Sequence, residues 1–289
     1  MAAIVGVHGI GKHNYYEDAG HCSSGAAEAM RRKWDRYLHT GLTGGRAYSG
    51  ESYIKSVAYY AHLLKENRVV QKLGNAPKKA AAVRAMAVEE QRVFIEWARQ
   101  LDAVKSKAGE ALTQALRRLM EWLLDTLDER AISFAGLFCP EVTAYLDGRP
   151  GARAACVQEV AETIRREEAR VVIAHSLGSV VTYEALWANP DIEVDLLITL
   201  GSPLGLRDVI FERLVPSPIK DRGERPKGVG RWINIADKDD IAAIPPGLAG
   251  QFGGVDLDVV VNLDWIDFHT VGKYLGSGAL NRHLAPYLN

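Results

Sequence analysis

Six short apolar runs constrain this chain more than any other feature: Ile4–Val7, Ser56–Tyr60, Val171–Ala174, Leu196–Leu200, Trp232–Ala236 and Val255–Leu263. Most are apolar at consecutive positions rather than at every second one, as in parallel strands buried on both faces. Helical stretches separate several of them: Ala26–Leu38, Ala152–Glu168 and Val180–Ala188, the last ended by Asn189-Pro190. Parallel neighbours need long crossovers, and helical crossovers cover both faces of a sheet. The alternation therefore predicts an α/β fold with a mostly parallel central sheet and flanking helices. A length of 289 residues fits a single domain, 1–289, carrying an insertion.

The insertion, 62–130, breaks the rhythm. No strand is legible from about His62 to Leu127. Val83, Met86, Ala87, Val93, Phe94 and Trp97 recur at three- and four-residue steps, as do Ala108, Leu112, Ala115, Leu116, Leu119, Leu123 and Leu127. Two readings stay open: amphipathic helices that cover part of the core, or a helical cap (a lid) over the edge of the sheet that carries the chemistry. The stretch Pro216–Gly230, rich in Pro, Gly and charge, reads as a surface loop.

Composition excludes several function classes. Hydrophobic residues make up 47% and charged ones 25%, as in soluble globular enzymes, and the formal net charge of −1 gives no electrostatic footprint for nucleic acid. The N-terminus lacks a basic signal region and no apolar run is long enough to span a bilayer, so neither secretion nor membrane insertion is expected. Cys22, Cys139 and Cys156 are odd in number, widely spaced and without a C-x-x-C pair. They predict neither a disulfide framework nor a zinc site, and read as core filler in a cytoplasmic protein. No cofactor is expected.

Val171-Val172-Ile173-Ala174-His175-Ser176-Leu177-Gly178-Ser179 reads as a strand, a sharp turn, and a helix beginning at Leu177. Such a turn lifts a serine to the strand's tip as a nucleophile elbow, G-x-S-x-G. Ala174 replaces the first glycine and is still small. The helix directs its N-terminal N–H groups at the site, where they favour developing negative charge. The alternative is that Ser176 is an ordinary N-cap.

Val7-His8-Gly9-Ile10-Gly11 follows the first strand. An H-G-x-G turn there supplies one backbone N–H to an oxyanion hole, and the residue after the nucleophile supplies the other; here the donors are Ile10 and Leu177. His8 is structural in this reading. The overlapping Gly6–His13 stretch meets most of the nucleotide-binding pattern G-x-x-x-x-G-K-[ST]. His13 stands where that pattern needs a hydroxyl for magnesium, so Lys12 reads as a solvated loop residue.

A serine on such a turn is served by an acid and then a histidine, in that chain order. Asp237, Asp239 and Asp240 follow the strand Trp232–Ala236. Asp240 is the first choice and Asp239 the second; Asp237 fits an Asx turn, and a turn shaped by all three is the alternative. Ile241-Ala242-Ala243-Ile244-Pro245 would anchor the acid's loop. His269 lies after the next strand, in Asp264–His269, and suits a general base. His8, His13 and His21 precede the elbow, and His175 adjoins it and is expected to point away. His39 and His62 have helical or cap settings, and His283 lies in a terminal helix.

Together, Val7–Gly11, Ala174–Gly178, Leu200-Gly201-Ser202-Pro203-Leu204-Gly205, Trp232-Ile233-Asn234 with Asp237 and Asp240, and Phe268-His269 with Tyr274 resemble bacterial α/β-hydrolases of the lipase/esterase type, in the branch described as serine peptidases or esterases. The resemblance spans nearly the whole chain except the helical insertion. It implies the α/β-hydrolase fold and a Ser-Asp-His triad at Ser176, Asp240 and His269. It favours Asp240 over Asp239 through a D-x-x-D spacing after the W-x-N strand, and places Ser202 in a turn beside the pocket. Ala174 and the alanine-rich stretch after Asp240 depart from the family pattern. The expected activity is metal-free hydrolysis of a small-molecule carboxylic ester, thioester or amide through an acyl-enzyme on Ser176. Acyl transfer by the same residues, a catalytically silent scaffold, and nucleotide binding at Gly6–Lys12 are the alternatives.

Overall fold

The structure is a computed structural model that describes residues 2–64, 86–101, 129–263 and 269–288. Its strands are β1 (Ile4–Val7), β2 (Ser56–Ala58), β3 (Val171–His175), β4 (Val194–Leu200), β5 (Gly223–Glu224), β6 (Val229–Asp237), β7 (Phe252–Gly253) and β8 (Leu257–Val261). Six of them form one parallel sheet in the order β2-β1-β3-β4-β6-β8, while β5 and β7 pair separately. Val7 lies opposite Ala174, His175 opposite Leu200, and Leu200 opposite Ile235, so the central strands end level with one another.

Why the apolar runs are continuous is now plain. Side chains alternate across a strand, so β3 sends Val172 and Ala174 to one face and Val171 and Ile173 to the other. Both faces are covered. One packs against α2 (Ser23–Thr43), α8 (Val271–Gly276) and α9 (Asn281–Leu284) through Met30, Trp34, Leu38, Leu275 and Leu284. The other packs against α4 (Val88–Gln100), α5 (Glu129–Asp147), α6 (Ala152–Arg166) and α7 (Leu177–Ala188). Each large aliphatic side chain so buried contributes about 1.5–3 kcal/mol. Gly6 inside β1 makes room for Trp34: a Cβ there would lie 2.8 Å from its ring.

Two shorter helices, α1 (His13–Asp18) and α3 (Ala61–Leu64), are also present among the described residues. α7 is buried from Leu177 through Leu186. A polar network fixes it inside the protein, where Glu184 accepts from the Tyr145 hydroxyl of α5 and the Arg153 guanidinium of α6. A lone buried carboxylate would be costly; this one is fully partnered.

Several expectations need correction. β2 stops at Ala58, with Tyr59 and Tyr60 buried just beyond it. The segment read as a surface loop, Pro216–Gly230, contains β5, which pairs with β7. Cys22 is not core filler: it is exposed, and its sulfur caps α2 by accepting the Gly25 N–H at 3.4 Å. Cys139 and Cys156 are buried, and all three thiols are free. Within the insertion, Val93, Phe94 and Trp97 fall on the buried side of α4 as their spacing predicts. Val83 and the Ala108–Leu127 pattern lie outside the described residues. Among the described residues, no helix is long and apolar enough to cross a membrane.

The strand order creates a crevice. From β1 the chain passes to β2 on one side, and β3 then joins on the other side. Connections that leave neighbouring strands in opposite directions open a gap at their C-terminal ends, where ligands bind in sheets of this kind. The His8–Gly11 turn and Ser176 both lie at that gap.

Candidate active site

Ser176 follows the last residue of β3 and holds φ 56° and ψ −134°, a left-handed conformation unusual for serine. Such backbone strain costs about 1–3 kcal/mol and persists only where the surroundings enforce it. Here they do. Ser176 N–H donates to the Leu200 carbonyl at 2.9 Å, and its own carbonyl accepts from the Ser179 N–H and hydroxyl. Gly178 lets α7 approach β1, since a Cβ there would collide with the His8 carbonyl and come within 2.7 Å of that of Val7. Ser176 occupies the helix N-cap position but makes no side-chain cap bond. Its Oγ instead meets His269 Nε2 at 2.7 Å.

The other ring nitrogen of His269, Nδ1, lies 2.8 Å from both carboxylate oxygens of Asp240. A carboxylate can only accept, so Nδ1 carries the proton and Nε2 is the acceptor facing the serine hydroxyl. Asp240 is itself held on both oxygens: Ala242 N–H donates to Oδ1 at 2.9 Å and the Tyr274 hydroxyl to Oδ2 at 2.6 Å. Asp237 forms the Asx turn, accepting the Asp239 N–H at 2.8 Å, and also takes the Leu263 N–H. The Asp239 side chain is turned outward, 3.3 Å from the Lys238 ammonium. Gly201, at φ 53°, explains a glycine of the Leu200–Gly205 stretch: a Cβ there would sit 2.6 Å from Asp240 Oδ2. Ser202 is structural, bonded to Ser179 Oγ at 2.7 Å.

The glycine turn after β1 abuts the serine. A Cβ on Gly9 would collide with Ser176 Cβ, so only glycine permits the approach. His8 pins this turn: its Nε2 accepts the Tyr60 N–H at 3.1 Å, leaving Nδ1 to donate to the Gly9 carbonyl at 2.7 Å. Burial pushes His8 down to about 3, so the ring stays neutral. Ile10 thus stands between a glycine packed on Ser176 and Gly11, whose N–H donates to Glu141 Oε1 at 2.8 Å. Leu177 contributes a first-turn N–H of α7, which has no intrahelical acceptor.

Three features differ from the sequence-based expectations or add to them. His175 does not point away: its buried ring lies 4.8 Å from that of His269, and burial holds its pKa well below the usual value. Lys12 is not freely solvated; it is half-buried, and desolvation lowers its pKa. Helix α5 extends beyond the 62–130 insertion and carries Glu141 and Phe134, whose ring meets His269 edge-on at 4.9 Å. Trp97 of α4 also reaches the site's rim, donating Nε1–H to the Ile241 carbonyl at 2.7 Å. Burial pushes Glu141 up to about 7, against the lowering effect of the Gly11 N–H and of Lys12. Ser176 itself is fully buried under this cover.

The assembly presents a hydroxyl, an oriented neutral imidazole and a buried carboxylate in hydrogen-bonded series. Among the described residues no group of three His, Cys, Asp or Glu side chains is placed to hold a metal ion. Compared with protein-family models, with curated proteins and with solved structures, the chain matches none.

Proposed function

We propose that this protein is a serine hydrolase of the α/β-hydrolase type that cleaves a carboxylic ester, thioester or amide through an acyl-enzyme on Ser176. One observation carries the reading: a serine in a left-handed turn, its Oγ 2.7 Å from a histidine whose other nitrogen is 2.8 Å from a buried aspartate. A structural serine has no need of that series, and strain of this kind concentrates at functional sites.

In the proposed mechanism His269 Nε2 takes the Ser176 proton as Oγ attacks the carbonyl carbon. Asp240 keeps the imidazole in the required tautomer and stabilises its cation. The oxyanion is received by the N–H groups of Ile10 and Leu177. His269 then returns the proton to the leaving atom, and water, activated by the same ring, releases the acid. Helix α4 of the insertion and the adjoining helix α5 serve as a cap, with Phe134 of α5 against His269 and Trp97 of α4 bonded to the loop behind Asp240.

A fluorophosphonate probe tests this directly. It is expected to modify wild type at Ser176 and to fail with Ser176→Ala and His269→Ala. Absence of labelling in wild type, across neutral and mildly alkaline pH, would remove the reading.

A further inference from the structure

A cleft of about 460 Å³ adjoins the proposed catalytic histidine, with His269 forming part of its wall. That size admits a small molecule. Three lysines from three separate elements line it: Lys12 ahead of α1, Lys33 on α2 and Lys273 on α8. Among the described residues no carboxylate lines it.

Two of these lysines are placed in ways that favour an anion. Lys33 Nζ stands 5.9 Å from the centre of the Tyr15 ring and 6.0 Å from that of Tyr37, both rings of the same cleft. Aromatic faces hold an ammonium in position without neutralising it. Lys12 is half-buried, so its charge is poorly hydrated. The carboxyl that bears on it, Glu141, accepts the Gly11 N–H and does not line the cleft. Two positive charges beside one small cleft would each gain from a bound negative group, and would repel a cationic one.

The proposed mechanism says which part of a substrate lies there. His269 must reach the leaving atom to protonate it, so the leaving group, not the acyl chain, lies towards the histidine. We infer that the Lys12–Lys33–Lys273 cleft binds an anionic group, carboxylate or phosphate, on the leaving alcohol of the ester. This inference rests on the hydrolase reading for its orientation; the anion site itself rests on the cleft.

Three aryl acetates test it: 4-acetoxybenzoate and 4-acetoxyphenyl phosphate, with anionic leaving groups, and the neutral 4-acetoxybenzamide. Monophenyl succinate places the charge on the acyl side. Wild type is expected to favour at least one anionic leaving group about tenfold or more in kcat/KM over the amide, and to show no such gain with the succinate. Which of the two is preferred identifies carboxylate or phosphate. In Lys33→Gln and Lys33→Glu that preference is expected to fall about tenfold, chiefly through KM, because Lys33 is exposed on α2 and its replacement leaves the core intact. Equal turnover of anionic and neutral esters by wild type, a gain confined to the succinate, or an equal loss on all esters in Lys33→Gln would each overturn the inference. Titration of 4-hydroxybenzoate and of phenyl phosphate into Ser176→Ala, with and without Lys33→Gln, separates the two readings. Lys33-dependent binding without fluorophosphonate labelling of wild type keeps the anion site and removes the hydrolase. Labelling without anion preference or binding keeps the hydrolase and removes the site.

Discussion

The hydroxyl of Tyr274 joins Asp237, the last residue of β6, to Asp240 of the following loop: it donates to Asp240 Oδ2 at 2.6 Å and accepts the Asp237 N–H at 2.8 Å. One phenol thereby fixes the proposed acid and the turn that presents it. Removing the oxygen leaves two buried polar groups each short of a partner, a loss of about 1–3 kcal/mol. Tyr274→Phe is expected to lower kcat about tenfold and to lower the melting temperature. Asp240→Asn should cost far more, about 10⁴-fold in kcat, because it favours the wrong imidazole tautomer. Asp239→Asn should match wild type, since its carboxylate faces solvent. Steady-state kinetics on one ester rank the three, and an Asp239→Asn defect as deep as that of Asp240→Asn would reassign the acid.

Glu141 makes stability depend on pH with a definite sign. Its carboxyl titrates at about 7 in the folded protein, against an ordinary value of 4.5. Between these values the unfolded chain has released the proton and the native protein still holds it. Its contribution is therefore complete below about pH 4.5 and is lost as pH rises towards 7. Glu141→Gln keeps an oxygen for the Gly11 N–H but cannot titrate. Relative to this variant, wild type should lose about 1–3 kcal/mol across that window, the lower end reflecting the partial solvent contact of Glu141. Denaturant midpoints for the two proteins at several pH values read the difference; parallel curves would contradict it.

Gly9→Ala places a methyl group on Ser176 Cβ. Overpacking of this kind costs about 1–3 kcal/mol, and here the nearest thing to yield is the proposed nucleophile. Fluorophosphonate labelling is expected to slow at least about a hundredfold, a loss of roughly 3 kcal/mol in transition-state stabilisation, while far-ultraviolet circular dichroism stays native. Undiminished labelling would detach the glycine turn from the site.

The three thiols should separate cleanly by reactivity. The Ser24 hydroxyl and the Gly25 N–H lower the pKa of exposed Cys22, whereas burial pushes Cys156 up to about 12 and Cys139 well above the usual value. Thiolates are the reactive form. Iodoacetamide at mildly alkaline pH is expected to add one group, on Cys22, by peptide mass mapping; prior modification of Cys139 would mean that the core opens readily.

The sheet was legible because its strands are buried on both faces, which writes them as unbroken apolar runs. Ser176, Asp240 and His269 were legible for a related reason: each stands just past such a run, and the runs come in the required order. Helix α5 does carry a local pattern, with Phe134, Phe138, Val142 and Tyr145 at helical spacing, but Pro140 in its interior reads as a helix end. The rest lacks a local signature. The two-residue strands β5 and β7 pair only because the finished fold brings them together. Glu141 finds Gly11 across 130 residues, and no spacing rule reaches that far. His175 was misplaced because alternation along β3 gives the face of the sheet but not the neighbour met there, which comes from the loop after β8.

That His269 comes from beyond β8, the edge strand, has a consequence for the making of the protein. Ser176 lies near the middle of the sheet and is synthesised 93 residues earlier. Until β8 docks, His269 cannot be held against the serine hydroxyl. If Ser176 is the nucleophile proposed above, a half-assembled chain is chemically silent, and any hydrolysis would report that β8 and the segment beyond it have docked.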